Sequence, residues 1–413
     1  LILPLLLLIS LLLFPFTPFT AEANDFSGYA ELKGFAYSEC YDGEPYGAGS
    51  GTLFSKWEHR PGEAQLTASL RAEWLTSPQD ELSFDPADRR LRRSPLSLRD
   101  LWVRLPLAPS HDVEFGRFQL GWGQTDGYSP ADAFLPRDLT DPFTDEKLPL
   151  WALRMSGQEE SFRYQAVLVP VTTPWRLPPL GSRYAPIAAG ALPQQTVLRE
   201  REDDPPVPGF VALRLLATRG DWDLGLWIRT GVRPAPLLQF SLDPALQTGA
   251  APVVSVGRRY AREKAVGVEL SRVAGTYVLR AELAGLLSKD AELGDAVIGT
   301  ASVERGFGDG KLLVTLAANA IDPPVNQTLL FDRALLPALI AAWNQTEPWG
   351  DWKLVWTVGL EHMDGVAKGE VGYNMTDTWK ITTGGDLPYG SENGALGALK
   401  KARRLYLALR RSW

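Results

Sequence analysis

The sequence predicts an all-β fold, a closed antiparallel transmembrane β-barrel of about 18 strands (16 as the alternative) with short turns at one end and long loops at the other. Three observations predict it: ten-residue stretches of strict period-2 alternation, a regular succession of short and long links between them, and a composition that rules out apolar helical spans.

Composition bounds the answer first. The chain has 413 residues, 45% of them hydrophobic, and a mean hydropathy of -0.11. A polytopic helical protein needs about 20 mostly apolar residues for every span. A barrel escapes that demand because only every second residue of a strand faces lipid. The net charge of -7 speaks against nucleic-acid binding, which calls for a basic excess. One cysteine, Cys40, and three histidines exclude a disulfide framework, a Cys/His zinc site and c-type haem attachment. No cofactor and no metal are expected. The 14 Trp, 12 Tyr and 16 Phe supply many rings, of which Trp and Tyr suit a membrane interface.

In chain order, the apolar run from Leu1 to Phe16, followed by Thr17-Pro18-Phe19-Thr20-Ala21-Glu22-Ala23, reads as the core and cleavage site of a signal peptide. Residues 1–23 are expected to be that peptide, truncated at its N-terminus, and 24–413 a single exported barrel. Leu66-Thr67-Ala68-Ser69-Leu70-Arg71-Ala72-Glu73-Trp74 is the clearest strand: its even positions are apolar and its odd positions polar, which a helix of period 3.6 would not produce. The stretches 222–229, 277–283, 353–360 and 404–410 read the same way.

Tight polar turns are expected at Arg60-Pro61-Gly62, Ala108-Pro109-Ser110, Gly157-Gln158-Glu159, Arg219-Gly220-Asp221, Ala274-Gly275-Thr276, Gly308-Asp309-Gly310 and Asn374-Met375-Thr376. Longer links fall near 76–96, 119–148, 170–207, 231–262, 287–296, 319–331 and 385–401. Short periplasmic turns and long extracellular loops alternate in this manner, and an even strand count puts both termini in the periplasm. A soluble sandwich or propeller would need neither the loop rhythm nor inward Arg and Glu on nearly every strand. Leu405, Leu407 and Leu409 alternate toward a terminal Trp413, the form of a barrel's closing strand; Arg411 departs from it.

Glu114-Phe115-Gly116-Arg117-Phe118-Gln119-Leu120-Gly121-Trp122-Gly123, with Ser129-Pro130-Ala131-Asp132 and Leu135-Pro136-Arg137-Asp138-Leu139, resembles a poorly characterised group of Gram-negative porin-like barrels of the alginate-export kind. Phe118 stands where that pattern has Gln, and Leu135 where it has Asn. The resemblance implies the fold, a Gram-negative outer-membrane barrel, and not the cargo. Gly116, Gly121 and Gly123 are expected to let the backbone bend or approach a neighbour, and Pro130 and Pro136 to interrupt pairing.

By the strand count, 119–148 is the third long loop, which in general porins folds into the lumen. Its Asp126, Asp132, Asp138, Asp141, Asp145 and Glu146 outnumber Arg137 and Lys147. Asp126, Asp132, Arg137, Asp138 and Asp141 are the constriction candidates. Alternation assigns Arg71, Arg104, Arg154, Arg163, Arg214, Arg229, Arg280, Lys353 and Arg404 to the inner wall, with Lys380 and Arg410. The acids Glu73, Asp100, Glu269, Glu282, Glu304 and Glu361 join them there. A basic wall facing an acidic loop would set a transverse field across a water-filled constriction that favours anionic solutes. The bland alternative is that these pairs only solvate and brace the interior.

His59, His111 and His362 are expected to be surface histidines without a catalytic partner, so no enzyme is expected. Arg199-Glu200-Arg201-Glu202-Asp203-Asp204 reads as a solvated charge run. The expected partners are outer-membrane lipid and a small hydrophilic solute, with a homo-oligomer or an envelope partner protein as further candidates and no nucleic acid. The alternative to a channel is a scaffold barrel, such as the sheath of an electron conduit or a surface anchor.

Overall fold

The computed structural model describes residues 24–413 except 42–43, 76–83, 145, 186–196, 202–207, 243–252, 291 and 323–336. The expected signal peptide and Asp145 lie outside the described residues. Eighteen strands form one sheet: β1 (Asn24–Tyr37), β2 (Gly47–His59), β3 (Gln65–Leu75), β4 (Leu96–Ala108), β5 (His111–Phe118) and β6 (Leu150–Gln158) come first. They are followed by β7 (Phe162–Val169), β8 (Phe210–Arg219), β9 (Trp222–Val232), β10 (Arg262–Ala274), β11 (Tyr277–Ser288) and β12 (Asp295–Phe307). The last are β13 (Gly310–Asp322), β14 (Ala338–Glu347), β15 (Gly350–Gly359), β16 (Asp364–Asn374), β17 (Trp379–Tyr389) and β18 (Arg404–Ser412).

Each strand pairs antiparallel with the next, and β1 pairs with both β2 and β18, from Tyr29 opposite Ser412 to Tyr37 opposite Arg404. The sheet therefore has no free edge. Closure satisfies backbone groups that would each cost several kcal/mol if left bare in hydrocarbon. The seven tight turns expected from sequence all fall between strands, and an eighth joins β14 to β15 at Pro348-Trp349.

The outer face explains the alternation. Leu224, Leu226 and Ile228 on β9 and Val266, Val268 and Leu270 on β10 are all exposed, although large and apolar. Repeated around the barrel, that band would be untenable in water and is what a lipid environment requires. Among the described residues no helix is long and apolar enough to cross a membrane; the strands make the crossing.

Near the short-turn end the outer face carries rings. Phe307, Trp343 and Trp352 stack at 5.8 and 6.0 Å, Arg272 lies 4.8 Å from the Trp222 ring centre, and Arg305 lies 4.5 Å from that of Phe307. Such amphipathic rings belong at a membrane–water boundary.

The loop end holds extra structure. Val197–Glu200 runs parallel to Val253–Arg259, which pairs antiparallel with Leu237–Leu242. The charge run expected to be solvated thus opens as a strand. Leu198 packs with Leu180, Val254 and Val256, and the Glu200 carboxylate accepts the Leu180 amide at 2.9 Å. Apolar neighbours on both sides outweigh the charge pattern there, and residues 202–204 lie outside the described residues.

Candidate functional site: a half-filled lumen

Residues 119–149 connect β5 to β6 and pack against the inner wall. Trp122, Phe134 and Leu135 share one apolar cluster with Phe210, Trp227, Ala265, Ala284, Ile298, Ala317 and Ala338. Many of these wall positions are alanine, so the wall presents a shallow face that receives the loop's large rings. On β10 the inward residues alternate fully buried with exposed outward ones, whereas on β17 most inward residues are only half-buried. The β8–β14 side of the lumen is filled, and the opposite side is open.

Glu282 on β11 holds the loop. Its Oε1 accepts the amides of Gln124 and Thr125, both at 2.7 Å, and the Thr125 hydroxyl at 2.9 Å. Its Oε2 accepts the Ser129 hydroxyl at 2.5 Å and the Ala131 amide at 3.2 Å. Asp132 does the same inside the loop, accepting the Trp122 and Gly123 amides at 2.8 and 2.9 Å and pairing with Lys147.

Two of the three flagged glycines are required where they stand. Gly116 has φ +128°, and a Cβ there would overlap the Leu101 carbonyl and Trp102. A Cβ at Gly123 would overlap Ser129. Gly121 differs from expectation, because nothing lies within 4 Å of its would-be Cβ.

The second half of the loop enters a relay of charges. Arg137–Asp138 pairs with Glu146–Lys147 as a miniature hairpin. Asp138, fully buried, receives Arg93 at 3.0 Å and Arg176 at 2.7 Å. Burial by itself would raise the Asp138 carboxyl, but those two guanidiniums outweigh it and hold it well below the usual range. Arg176 and the fully buried Arg117 both reach Asp88. Glu146 bridges Arg71 at 2.8 Å and Arg99 at 2.5 Å. Asp141 receives Arg404 at 2.8 Å, and Arg404 also holds Asp386 at 2.7 Å. Asp126, exposed at the loop's tip, lies 3.7 Å from Lys311.

The expected geometry of a basic wall facing an acidic loop across water is therefore modified. On one side acid and base are in direct contact, and on the other the loop docks onto the wall acid Glu282.

The wall candidates divide by that geometry. Arg71 and Arg404 border a cavity of about 490 Å³ on the open side, as do Lys380 and Arg410. Arg163 and Arg214 border a smaller one of about 180 Å³ near the short turns. Arg214 also pairs with Glu269 at 2.5 Å. Arg104 and Arg154 share Glu114, and Arg280 pairs with Glu304 at 3.1 Å. Lys353 is exposed on the inner face of β15.

Arg229 does not face open space. It is buried with Phe134 and Phe210 against its guanidinium and Glu263 at 3.5 Å. The docked loop covers it, which alternation along a strand has no means of registering. Glu361 sits in the link after β15 rather than on the wall. Asp100 accepts the Ser69 hydroxyl at 2.6 Å.

Several participants escaped expectation, among them Asp88, Lys33, Arg99, Arg93 and Arg176. Arg99 occupies a bulge: the β3–β4 register jumps from Ser69–Asp100 to Leu70–Leu98, which turns an otherwise outward residue to the lumen. Arg93 and Arg176 lie in loops, where no periodicity marks direction.

The cavity of about 490 Å³ is lined by the bases Lys33, Arg71, Arg92, Arg93, Lys380, Arg404 and Arg410, against the acids Glu31, Glu73, Asp141, Glu146 and Glu370. Bases exceed acids by two. The histidines lie elsewhere: His59 stacks on Trp57, and His362 lies in the link after β15. His111 has polar neighbours, the Ser110 hydroxyl at 3.1 Å and Glu159 at 3.8 Å. This trio sits at a turn, and the hydroxyl belongs to the adjacent residue. Among the described residues no group of three or more His, Cys, Asp or Glu side chains could hold a metal ion.

These features define a closed transmembrane barrel with a polar, partly occluded lumen. No protein-family model matches the chain, and no curated protein matches it in sequence. Among solved structures it is similar to mutants of the Rh. blastica porin. One aligns over 94% of this chain and 100% of the other, with TM-score 0.42 and 9% identity. A triple mutant of the Rhodopseudomonas blastica porin aligns with TM-score 0.41 and the same identity and coverage. The assignment of the barrel rests on the closure of β1 against β18 and not on that likeness.

Proposed function

We propose that the chain is a bacterial outer-membrane channel for passive or facilitated diffusion of small hydrophilic solutes, with a preference for anions. One observation carries the reading: beside the docked loop lies a cavity of about 490 Å³ whose lining has two more bases than acids. Inside a low-dielectric wall, a small surplus of fixed charge is focused into the aqueous path and raises the local concentration of counter-ions.

Planar-bilayer recordings under a KCl gradient test it. Discrete conductance steps are expected, with a reversal potential on the chloride side, and Arg410→Glu should move that potential toward the cation side. A barrel that inserts without conductance steps overturns the channel reading and points to a scaffold for another envelope component. A wild-type pore with no anion preference overturns the selectivity alone.

A further inference from the structure

Of the seven cations around the cavity, Arg71, Arg93, Arg404 and Arg410 pair with acids at 2.7–3.0 Å, Lys380 pairs with Asp351, and Arg92 is exposed, with no ion pair among the described residues. Lys33 on β1 differs. Among the described residues it makes no ion pair, and its Nζ rests 3.9 Å from the ring centre of Tyr406 and 5.2 Å from that of Phe35. The Tyr406 hydroxyl donates to Glu370 at 2.7 Å, which fixes that ring.

The wall around Lys33 is recessed. Its partners across the two neighbouring ladders are Ser50 and Ala408, and Ala408 is in turn opposite Thr382. Phe35 and Tyr406 form the next rung toward the loop end. A half-buried ammonium with no ion pair among the described residues, though Glu31, Asp141 and Glu370 line the same cavity, thus stands at the foot of two rings, in a hollow bordered by small side chains.

We propose that this hollow is a binding subsite for a ring-bearing organic carboxylate. The ammonium of Lys33 takes the carboxylate as a charge-assisted hydrogen bond, and the solute's ring lies over Ser50, beside Phe35 and Tyr406. The proposal rests on the channel reading and names its substrate class: an anion with a flat apolar face, in preference to a small anion or a neutral ring.

The test is calorimetric titration of the full chain in detergent micelles with sodium benzoate, sodium acetate and benzyl alcohol, beside conductance in KCl. Benzoate is expected to bind about tenfold or more tightly than either other probe, since tenfold corresponds to about 1.4 kcal/mol. Lys33→Met should weaken benzoate about tenfold, Lys33→Arg should retain most of the affinity, and Ala408→Leu should weaken it by filling the hollow with the cation intact. Heat-modifiable migration on gels reports folding of each variant.

Equal affinity for acetate and benzoate, no binding of benzoate, or benzoate binding that neither Lys33→Met nor Ala408→Leu disturbs overturns the subsite. Conductance without benzoate binding removes the subsite and leaves the channel. Binding without conductance removes the channel and leaves the subsite.

Discussion

Glu282 shows what one inward residue contributes when a loop reaches it. Two amides, two hydroxyls and a third amide converge on its carboxylate, and hydrogen bonds to a charged group are worth about 1.5–3 kcal/mol each. Glu282→Ala should free the segment 124–131, giving noisier and larger single-channel currents and faster cleavage of the loop by added protease. An unchanged current trace and cleavage rate would remove the residue's assigned role.

Asp138 predicts a pH response. Burial raises its carboxyl, but Arg93 and Arg176 hold it well below the usual range, and Arg404 likewise lowers Asp141 against burial. A carboxyl depressed in the folded protein contributes stability that is fully present above its unfolded pKa of about 3.9. That contribution is lost as pH falls from there through the folded value. The loop should therefore stay docked down to about pH 4 and loosen only in stronger acid, seen as current noise that grows below that point. Asp138→Asn removes the acid that Arg93 and Arg176 share and leaves them only Glu73 and Asp88, a loss of at most about 3–5 kcal/mol by analogy with broken buried pairs, and should bring the same noise to neutral pH.

At the scale of elements, β4 and β5 show how local irregularity places function. The bulge at Arg99 breaks the two-residue rhythm and swings a guanidinium to Glu146. Further along, opposite Trp102, Gly116 adopts φ +128° with the β4 backbone directly against its Cα. Gly116→Val would need both a strained backbone and a shift of the β4–β5 ladder, so the variant should lose the heat-modifiable gel band of a folded barrel. A normal band would show that the ladder can open there at little cost.

The strand rhythm was legible because lipid and water impose a period of two, but a bulge, a loop-borne Arg93 or Arg176, and the burial of Arg229 beneath Phe134 leave no periodic trace. Glu282 itself was recognisable as inward from its neighbours, although nothing in its own segment names the loop that would bind it.

For the whole molecule, the two faces of the cylinder follow different rules. Outside, Leu226 lies mid-strand in the apolar band, and Leu226→Arg should cost about 2–4 kcal/mol if that position lies near the bilayer midplane. Urea titration of refolding into lipid vesicles measures it, and a loss near zero would contradict the membrane placement. Inside, charge is tolerated throughout because nearly every inward base meets an acid or a ring.

The alternating strands, the turns between them and the closing strand at Leu405–Trp413 followed from the sequence alone, since side-chain direction along a strand is a local property with a strict period. Which half of the lumen is filled, and which charges remain accessible, was decided only in three dimensions. Those depend on where the 119–149 loop lands, and its partners Glu282, Arg404 and Arg71 lie far from it along the chain. Contacts at such separations obey shape and charge complementarity, which no local pattern records.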